Sequence, residues 1–211
     1  MDQSAWQEKH GRIGIATSVI TQPVLYKTGN QELRDRMISS GMTSGLLEVM
    51  QAWDSQQALK ELPQTLAASL EEQGYDTVVI PEPLKEDDFA EAASRQDGYE
   101  YLDLEPLKTR YQIDKLVWVY IGAHGLSRKY YRFIPISEPK AIVNYLSLVI
   151  DLDDNRYLLY QPGSVEQVAE GEWDQPPLYP RLAEAYSKAI EQARQDILAE
   201  FQNQPATMTT P

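Results

Sequence analysis

The sequence of 211 residues lacks cysteine entirely. Disulfide bonds, cysteine-ligated zinc and a thiol nucleophile are therefore excluded. The sequence also lacks any run of about 18 consecutive apolar residues, the length that a membrane-spanning helix requires. Its first residues, MDQSAWQEKHGR, are too polar for a secretory signal peptide. The absence of cysteine does not identify the compartment, because cytosolic and exported proteins can both lack it.

Basic residues are also scarce. The chain has 19 Lys and Arg against 32 Asp and Glu, a formal net charge of −13. Binding to a nucleic-acid backbone depends on Lys and Arg displacing counterions, so this composition argues against a nucleic-acid partner. It also disfavours electrostatic docking on anionic lipid, although a covalent lipid anchor would not be affected. Hydrophobic residues make up 42% of the chain and charged residues 24%, which is typical of a globular domain.

Length and local composition predict one domain with flexible ends. We expect a flexible lead over residues 1–11, a single α/β domain over residues 12–201 and a disordered tail over residues 202–211. The tail, QNQPATMTTP, has no hydrophobic periodicity. A chain of this size can bury a substantial core.

The first half of the domain is predicted to alternate strands and helices. The stretch RIGIATSVI is typical of a strand that is buried on both sides. Between Gln31 and Trp53 apolar residues recur with helical spacing interrupted by glycines, which predicts one broken helix or two. A clearer helix ends at Gly74, a residue suited to a helix C-terminus, and the strand YDTVVI follows it. The inward-facing residues of that helix are Leu62, Leu66, Ala67 and Leu70.

The middle of the chain is less regular. Residues 82–100 are acidic, with a short helix predicted at 87–95, and a second short helix is predicted at 104–111. The apolar segment LVWVYI then returns the chain to the sheet at residues 116–121.

A hairpin and a long helix are predicted for the C-terminal half. The alternating stretch 141–152 and the return strand YLLYQP flank Asp153-Asp154-Asn155-Arg156, whose Asp and Asn residues favour a tight turn. Apolar residues then follow the i, i+3, i+4, i+7 pattern from Leu182 to Phe201, which predicts an amphipathic helix. Together these elements predict an α/β (α+β) domain with a single mixed sheet, an antiparallel C-terminal hairpin region, helices packed on it and a long C-terminal helix.

The two histidines offer little for catalysis or metal binding. His10 lies in the predicted lead, and His124 lies in the sequence GAHG, where a strand is predicted to end. His124 has no second histidine at i+4 and no H-E-x-x-H frame, so we expect it to make ordinary hydrogen bonds. The acidic residues Asp151, Asp153 and Asp154 invite a calcium or magnesium site, but their spacing does not fit a calcium-binding loop and favours a solvated hairpin tip. We therefore predict no cofactor and no metal ion.

Nucleophile motifs are weak. Ser137 and Lys140 match S-x-x-K formally, but Pro139 and the strand that follows favour extended backbone, in which the lysine does not approach the serine. A hydrolase would require Ser127 or Ser164, His124 and an acid such as Asp151 to meet in one cleft. We expect no enzymatic activity, and we keep the hydrolase as an alternative.

A basic and aromatic cluster stands out in this acidic chain. It is either a loop or strand edge that balances nearby carboxylates, or a surface that contacts a partner, since Tyr and Arg concentrate binding energy at interfaces. The aromatic and proline-rich segment around Trp173 is expected to pack over the last helix, with an exposed contact site as the alternative. The candidate partner-contact residues are Arg128, Lys129, Tyr130, Tyr131, Arg132 and Trp173.

Several segments resemble a group of small bacterial envelope lipoproteins. These are LVWVYIGAHG, YYRFIP, LVIDLDDNRYLLYQP and EWDQPPLYP before a long Ala-rich helix, together with the earlier helix-Gly-YDTVVI. The resemblance covers most of residues 12–200. The order of elements is also similar to the N-terminal domain of TolB and to the periplasmic domains of CsgG and LpoB, which is an analogy of fold and does not establish function.

The resemblance implies a protein in the periplasm that is tethered to the outer membrane through a lipidated cysteine. The sequence departs from that pattern, because it shows neither a signal peptide nor a cysteine. We expect both to belong to a segment that precedes these residues in the natural protein. If Met1 is instead the natural start, the envelope location falls. We expect a non-enzymatic domain that mediates protein–protein interaction or self-association at the cell envelope. A small-molecule hydrolase and a domain that senses a periplasmic ligand remain as alternatives.

Overall fold

The computed structural model describes residues 10–28, 44–53, 56–92, 95–131 and 134–202. Most of the predicted lead, nearly all of the predicted tail and the first part of the broken helix between Gln31 and Trp53 lie outside these residues. The predicted fold class is confirmed, because a single mixed sheet carries helices on its faces and a long helix follows the C-terminal hairpin.

Within the described residues, seven strands form the sheet. They are β1 (Arg12–Thr17), β2 (Val24–Thr28), β3 (Asp76–Val79), β4 (Lys115–Tyr131), β5 (Ile134–Pro135), β6 (Lys140–Asp151) and β7 (Arg156–Val168). The main order is β3-β1-β4-β6-β7, with β2 and β5 both paired to the far end of β4. Strand β1 is parallel to both of its neighbours, whereas β4, β6 and β7 are antiparallel. The predicted burial of the first strand is confirmed, because five of its six residues are buried.

Five helices are described, and two of them form most of the cover on the first face of the sheet. The described helices are α1 (Ser44–Gln51), α2 (Gln57–Lys60), α3 (Leu62–Glu72), α4 (Glu105–Tyr111) and α5 (Pro180–Glu200). Helices α3 and α5 bury their apolar sides in one core with the alternating residues of the strands. All four predicted inward residues of α3 are buried, and Gly74 follows the helix with φ of 88°, a conformation that glycine adopts without strain.

A less regular segment covers the second face. Residues 80–113, including α4, pack a smaller core against Leu116, Trp118, Leu148 and Ile150. The short helix predicted at 104–111 is confirmed as α4. The helix predicted at 87–95 is wrong, because in the described part of that range the only helical turn is the 3-10 turn Glu86–Asp88. The following residues instead make extended backbone hydrogen bonds, Ala92 N to Tyr101 O at 2.7 Å and Asp103 N to Ala90 O at 2.8 Å.

The C-terminal hairpin has the predicted turn and longer strands. Asn155 has φ of 62°, the left-handed conformation that Asn tolerates in a tight turn. Strand β7 continues beyond the predicted YLLYQP to Val168, and Pro162 is tolerated because β7 is an edge strand. Strand β4 also continues past the predicted end at Ile121, since its far half pairs with β2 on one side and β6 on the other.

Candidate functional site

The predicted contact cluster lies at the far end of β4, where β4 and β5 form a hairpin. Tyr130 pairs with Pro135 and Tyr131 with Ile134, and the amide of Ile136 donates to the carbonyl of Lys129 at 2.9 Å. We call residues 128–131, residues 134–136 and Trp173 the tip surface. Arg132, the remaining residue of the predicted cluster, lies outside the described residues.

Large apolar side chains are exposed on the tip surface. Tyr131 is 59% exposed, Ile134 65% and Ile136 54%. The two isoleucines were not among the predicted contact residues, although they follow the cluster directly in the sequence. Their hydrophobicity was the available signal, but a sequence pattern alone does not show whether an apolar residue beside a strand is buried.

Arg128 is held in place rather than free. Its guanidinium carbon lies 4.6 Å from the ring centroid of Trp173 and 6.0 Å from that of Tyr130, and its Nε donates to the carbonyl of Ser137 at 3.0 Å. The indole N–H of Trp173 donates to the carboxylate of Glu138. Arg128 and Trp173 therefore tie the hairpin to the segment before α5, and Trp173 also packs at the margin of the first-face core.

Lys129 has a different role from Arg128. Its side chain is exposed, while its backbone N–H donates to the hydroxyl of Ser137 at 2.9 Å. The cluster therefore divides into a cation that supports the hairpin and a cation that is presented to solvent.

Gly125 allows β2 to support the hairpin from the other side. Its φ is 137°, and a Cβ built on it would lie 2.1 Å from the carbonyl oxygen of Val24. Only a glycine can therefore occupy this position without moving the backbone of β2.

His124 does not lie at a strand end as predicted. It is inside β4, next to an irregularity between Ile121 and His124, and it is only 1% exposed. Its Nδ1 lies 2.8 Å from the hydroxyl of Tyr186, and its Nε2 lies 3.0 Å from the carbonyl of Thr21. Burial lowers the pKa of His124, which favours the neutral ring. The predicted hydrogen bonds are present, but in the core rather than in a loop.

The groups that a hydrolase would need are engaged elsewhere. Both ring nitrogens of His124 are used by Thr21 and Tyr186. The hydroxyl of Ser164 donates to the Asn144 side chain at 2.7 Å, and Asp151 pairs with Arg156. The structure does not bring these side chains together in one cleft.

The S-x-x-K match and the acidic turn also consist of local contacts. Ser137 contacts the backbone of Lys129 and Glu138, while the ammonium of Lys140 lies 2.5 Å from a carboxylate oxygen of Glu166. In the acidic turn, Asp153 contacts Lys108 at 2.6 Å, and Arg156 lies within 4 Å of both Asp151 and Asp154. In the described part of the chain, no helix is both long enough and apolar enough to cross a bilayer.

Comparisons with known proteins give remote similarities only. No protein-family model matches the sequence, and no curated protein matches it significantly. The fold is similar to a Xanthomonas campestris protein of the DUF330 family, with 10% identity, a TM-score of 0.41 and coverage of 89% of this chain and 81% of the other. A lipoprotein of Neisseria meningitidis has 15% identity, a TM-score of 0.37 and coverage of 86% and 98%.

A hypothetical protein of Chlamydia trachomatis is similar at the same level, with 10% identity, a TM-score of 0.39 and coverage of 90% and 94%. At these TM-scores the similarities carry no weight for function or location. The finer resemblance to TolB, CsgG and LpoB stays a prediction.

Proposed function

We propose that this domain is a non-enzymatic protein-interaction module of the bacterial cell envelope, and that it binds a protein partner through the tip surface. The observation that carries the proposal is the exposure of Tyr131, Ile134 and Ile136 on one hairpin. Burying a side chain of this size contributes about 1.5–3 kcal/mol, so three of them can support a specific contact.

Contacts on several sides support the described residues of the tip surface. Strand β2 supports one edge of β4, β5 supports the other, and Arg128 is stacked against Trp173 at 4.6 Å. A surface that is already ordered loses less conformational entropy on binding than a flexible loop does.

The charge of the tip surface indicates the partner's chemistry. Lys129 presents an exposed cation next to the apolar side chains, in a chain whose overall charge is −13. The matching surface would be apolar with acidic residues at its rim. A second copy of this acidic chain is one such partner, and the experiment below separates it from a different protein.

The envelope location rests on the sequence segments that resemble envelope lipoproteins. It is tested by expressing the natural gene in its own host and separating cytoplasm, periplasm and membranes. Recovery with the outer membrane, with a lipid-modified cysteine detected by mass spectrometry, would support the location. Recovery in the cytoplasm would contradict it.

The interaction is tested by site-specific photo-crosslinking. A benzophenone amino acid replaces Tyr131, and as a matched control it replaces Gln192, an exposed residue of α5. We expect one discrete adduct from position 131, none of the same mass from position 192, and loss of the adduct when Ile134→Asp is added. An adduct of twice the chain mass identifies self-association.

Two results would contradict the proposed function. The same adducts from both positions would show contacts that do not depend on the tip surface. An adduct from position 131 that survives Ile134→Asp would show that the exposed apolar side chains do not contribute to binding.

A further inference from the structure

A second surface, separate from the tip surface, lies on the second face of the sheet. Trp118 of β4, Leu148 of β6 and Tyr160 of β7 are register neighbours and form a row across three strands. Tyr120 and Leu146 are register partners in the adjacent row. These two rows are the floor of a concave site of about 290 Å³, which we call the aromatic cleft.

The irregular segment before α4 forms the wall of the aromatic cleft. Its lining side chains are Glu86, Glu100, Tyr101 and Leu102, and Tyr157 of β7 completes the site. The volume lies near the lower limit for ligand pockets and suits a small group. The site therefore combines five aromatic rings with two carboxylates, and its lining includes no Lys or Arg.

A bulge in β7 brings two of the rings to the same face. Tyr157 and Tyr160 are three residues apart and would point to opposite faces of a regular strand. The register shifts between Val149 and Ile150, so that Ile150 pairs with Tyr157 while Leu148 pairs with Tyr160. Both tyrosines thereby line the aromatic cleft, with ring centroids 5.5 Å apart.

Glu100 is a buried carboxylate beside these rings. It is 5% exposed, and it accepts hydrogen bonds from the amides of Tyr101 and Leu102 and from the hydroxyl of Tyr157 at 2.8–3.1 Å. Among the described residues none forms an ion pair with it. A buried carboxylate without a cationic partner is rare, because burial of its charge is costly.

The second carboxylate is at the rim. The hydroxyl of Tyr101 donates to Glu86 at 2.7 Å, and this hydrogen bond, with burial, raises the pKa of Tyr101 to about 12. The outer side of Tyr101 is near Arg95, whose guanidinium lies 5.3 Å from the ring centroid. Arg95 pairs with Glu91 and does not line the aromatic cleft.

We propose that the aromatic cleft binds a quaternary ammonium group, with its methyl groups against the rings of Trp118, Tyr120 and Tyr160 and its charge facing Glu100 and Glu86. Aromatic faces carry negative potential and attract cations, and such cages are a known solution for quaternary ammonium ligands. The two carboxylates add to that field in a partly desolvated site.

The hydrogen-bonding pattern favours a quaternary ammonium over a primary amine. Three donors already occupy the oxygens of Glu100, and the Tyr101 hydroxyl occupies one oxygen of Glu86. A primary ammonium needs three acceptors, whereas a quaternary ammonium needs none. A neutral sugar carries no positive charge, so it would gain nothing from the negative charges of Glu86 and Glu100.

The experiment is a titration of the whole protein with choline, followed through the indole N–H resonance of Trp118 in an NMR spectrum. We expect a saturable shift with choline and with tetramethylammonium. Affinity should be about tenfold weaker for ethanolamine and for 3,3-dimethylbutan-1-ol, the neutral isostere of choline.

Variants assign the binding to the aromatic cleft. Tyr120→Ala and Tyr160→Ala remove rings that are 39% and 47% exposed, so both variants should fold. Each should weaken choline binding about tenfold. The matched control is Tyr131→Ala, which removes an exposed tyrosine from the tip surface and should leave choline binding unchanged.

Three results would overturn the inference. They are equal affinities for choline and its neutral isostere, unchanged binding in both cleft variants, and no saturable shift at tens of millimolar choline. The inference does not rest on the tip surface, since loss of choline binding leaves the crosslinking at position 131 untouched.

Discussion

On the first face of the sheet, helices α3 and α5 bury a continuous core that includes Leu66, Tyr186 and Ile190, each at most 1% exposed. On the second face, the irregular segment 80–113 covers only part of the same strands, and Tyr120 and Tyr160 stay 39% and 47% exposed. The two faces are made by alternating residues of the same chain, so the difference comes from what packs on them.

This difference suggests a division of roles, in which the first face stabilises the fold and other surfaces are available for binding. The first face carries a large buried core, and both ring nitrogens of His124 are engaged in hydrogen bonds there. The aromatic cleft lies on the second face, and the tip surface lies at the far end of β4. Surfaces that remain concave or apolar beside a closed core are available for contacts at little cost to the fold.

The largest difference in stability is expected between two Leu→Ala variants, one on each face of the sheet. Leu66→Ala removes a fully buried side chain of α3 and should lower the free energy of unfolding by about 2–5 kcal/mol. Leu146→Ala removes a half-buried side chain from the aromatic cleft and should lower it by about 1 kcal/mol. Urea denaturation of both variants measures the difference, and equal losses would contradict the comparison.

The carboxylates of Glu200 and Glu100 provide a second comparison, through the stability of their glutamine variants at pH 8. Burial raises the pKa of Glu200 from 4.5 to about 7, and the charge of Asp196 adds to the shift. The folded state therefore binds more protons than the unfolded state between these values, and the contribution of Glu200 to stability is lost as pH rises through about 7. Glu200→Gln should make the protein more stable than the wild type at pH 8, by on the order of 1–2 kcal/mol.

Replacing Glu100 with Gln should change the free energy of unfolding in the opposite direction. It accepts three hydrogen bonds, so Glu100→Gln should lower the free energy of unfolding by about 1–2 kcal/mol at pH 8. Thermal or urea denaturation of the two variants at pH 8 gives both signs in one experiment. A stabilising effect of Glu100→Gln would show that its hydrogen bonds do not compensate for burial.

The buried hydrogen bond between His124 and Tyr186 should contribute less to stability than the core side chain of Leu66, and stability should depend on pH through His124. Tyr186→Phe removes the hydroxyl that contacts Nδ1 and should cost about 1–2 kcal/mol. Because burial lowers the pKa of His124, the unfolded state takes up the proton first as pH falls below 6.5, and stability decreases there. Denaturation between pH 7 and pH 5 checks the slope, and His124→Gln should reduce it.

The smallest effects are expected at the tip surface. Trp173→Leu removes the stack on Arg128 and should cost about 0.5–1 kcal/mol. Ile134→Ser, at a side chain 65% exposed, should change stability by less than about 0.5 kcal/mol. Differential scanning calorimetry of both variants measures these losses, and a large loss for Ile134→Ser would show that the hairpin supports the core.

Sequence patterns predicted the elements whose determinants are local. Helix α3 ends just before Gly74, in line with the prediction, the turn contains Asn155 in the left-handed conformation, and α5 buries the predicted face. Each of these depends on residues within one or two turns, so spacing and single-residue preferences were sufficient.

The errors share a different cause. The helix expected at 87–95 is replaced by backbone pairing with residues 101–103, and β4 continues through His124 because β2 and β6 pair with it from either side. These partners are distant in the sequence, so local propensity did not reveal them. The contact cluster was predicted from its composition and stays a prediction, whereas the separate roles of Arg128 and Lys129 depend on the position of Trp173.

The sequence by itself determined the class of fold, the order of most elements and the exclusion of cysteine chemistry, because composition and hydrophobic period are properties of short segments. Only the tertiary structure decided that His124 is buried, that a bulge places Tyr157 and Tyr160 on one face, and that Glu100 lies beside their rings. Register between distant strands decides which face each side chain occupies, and a shift of one residue reverses that face.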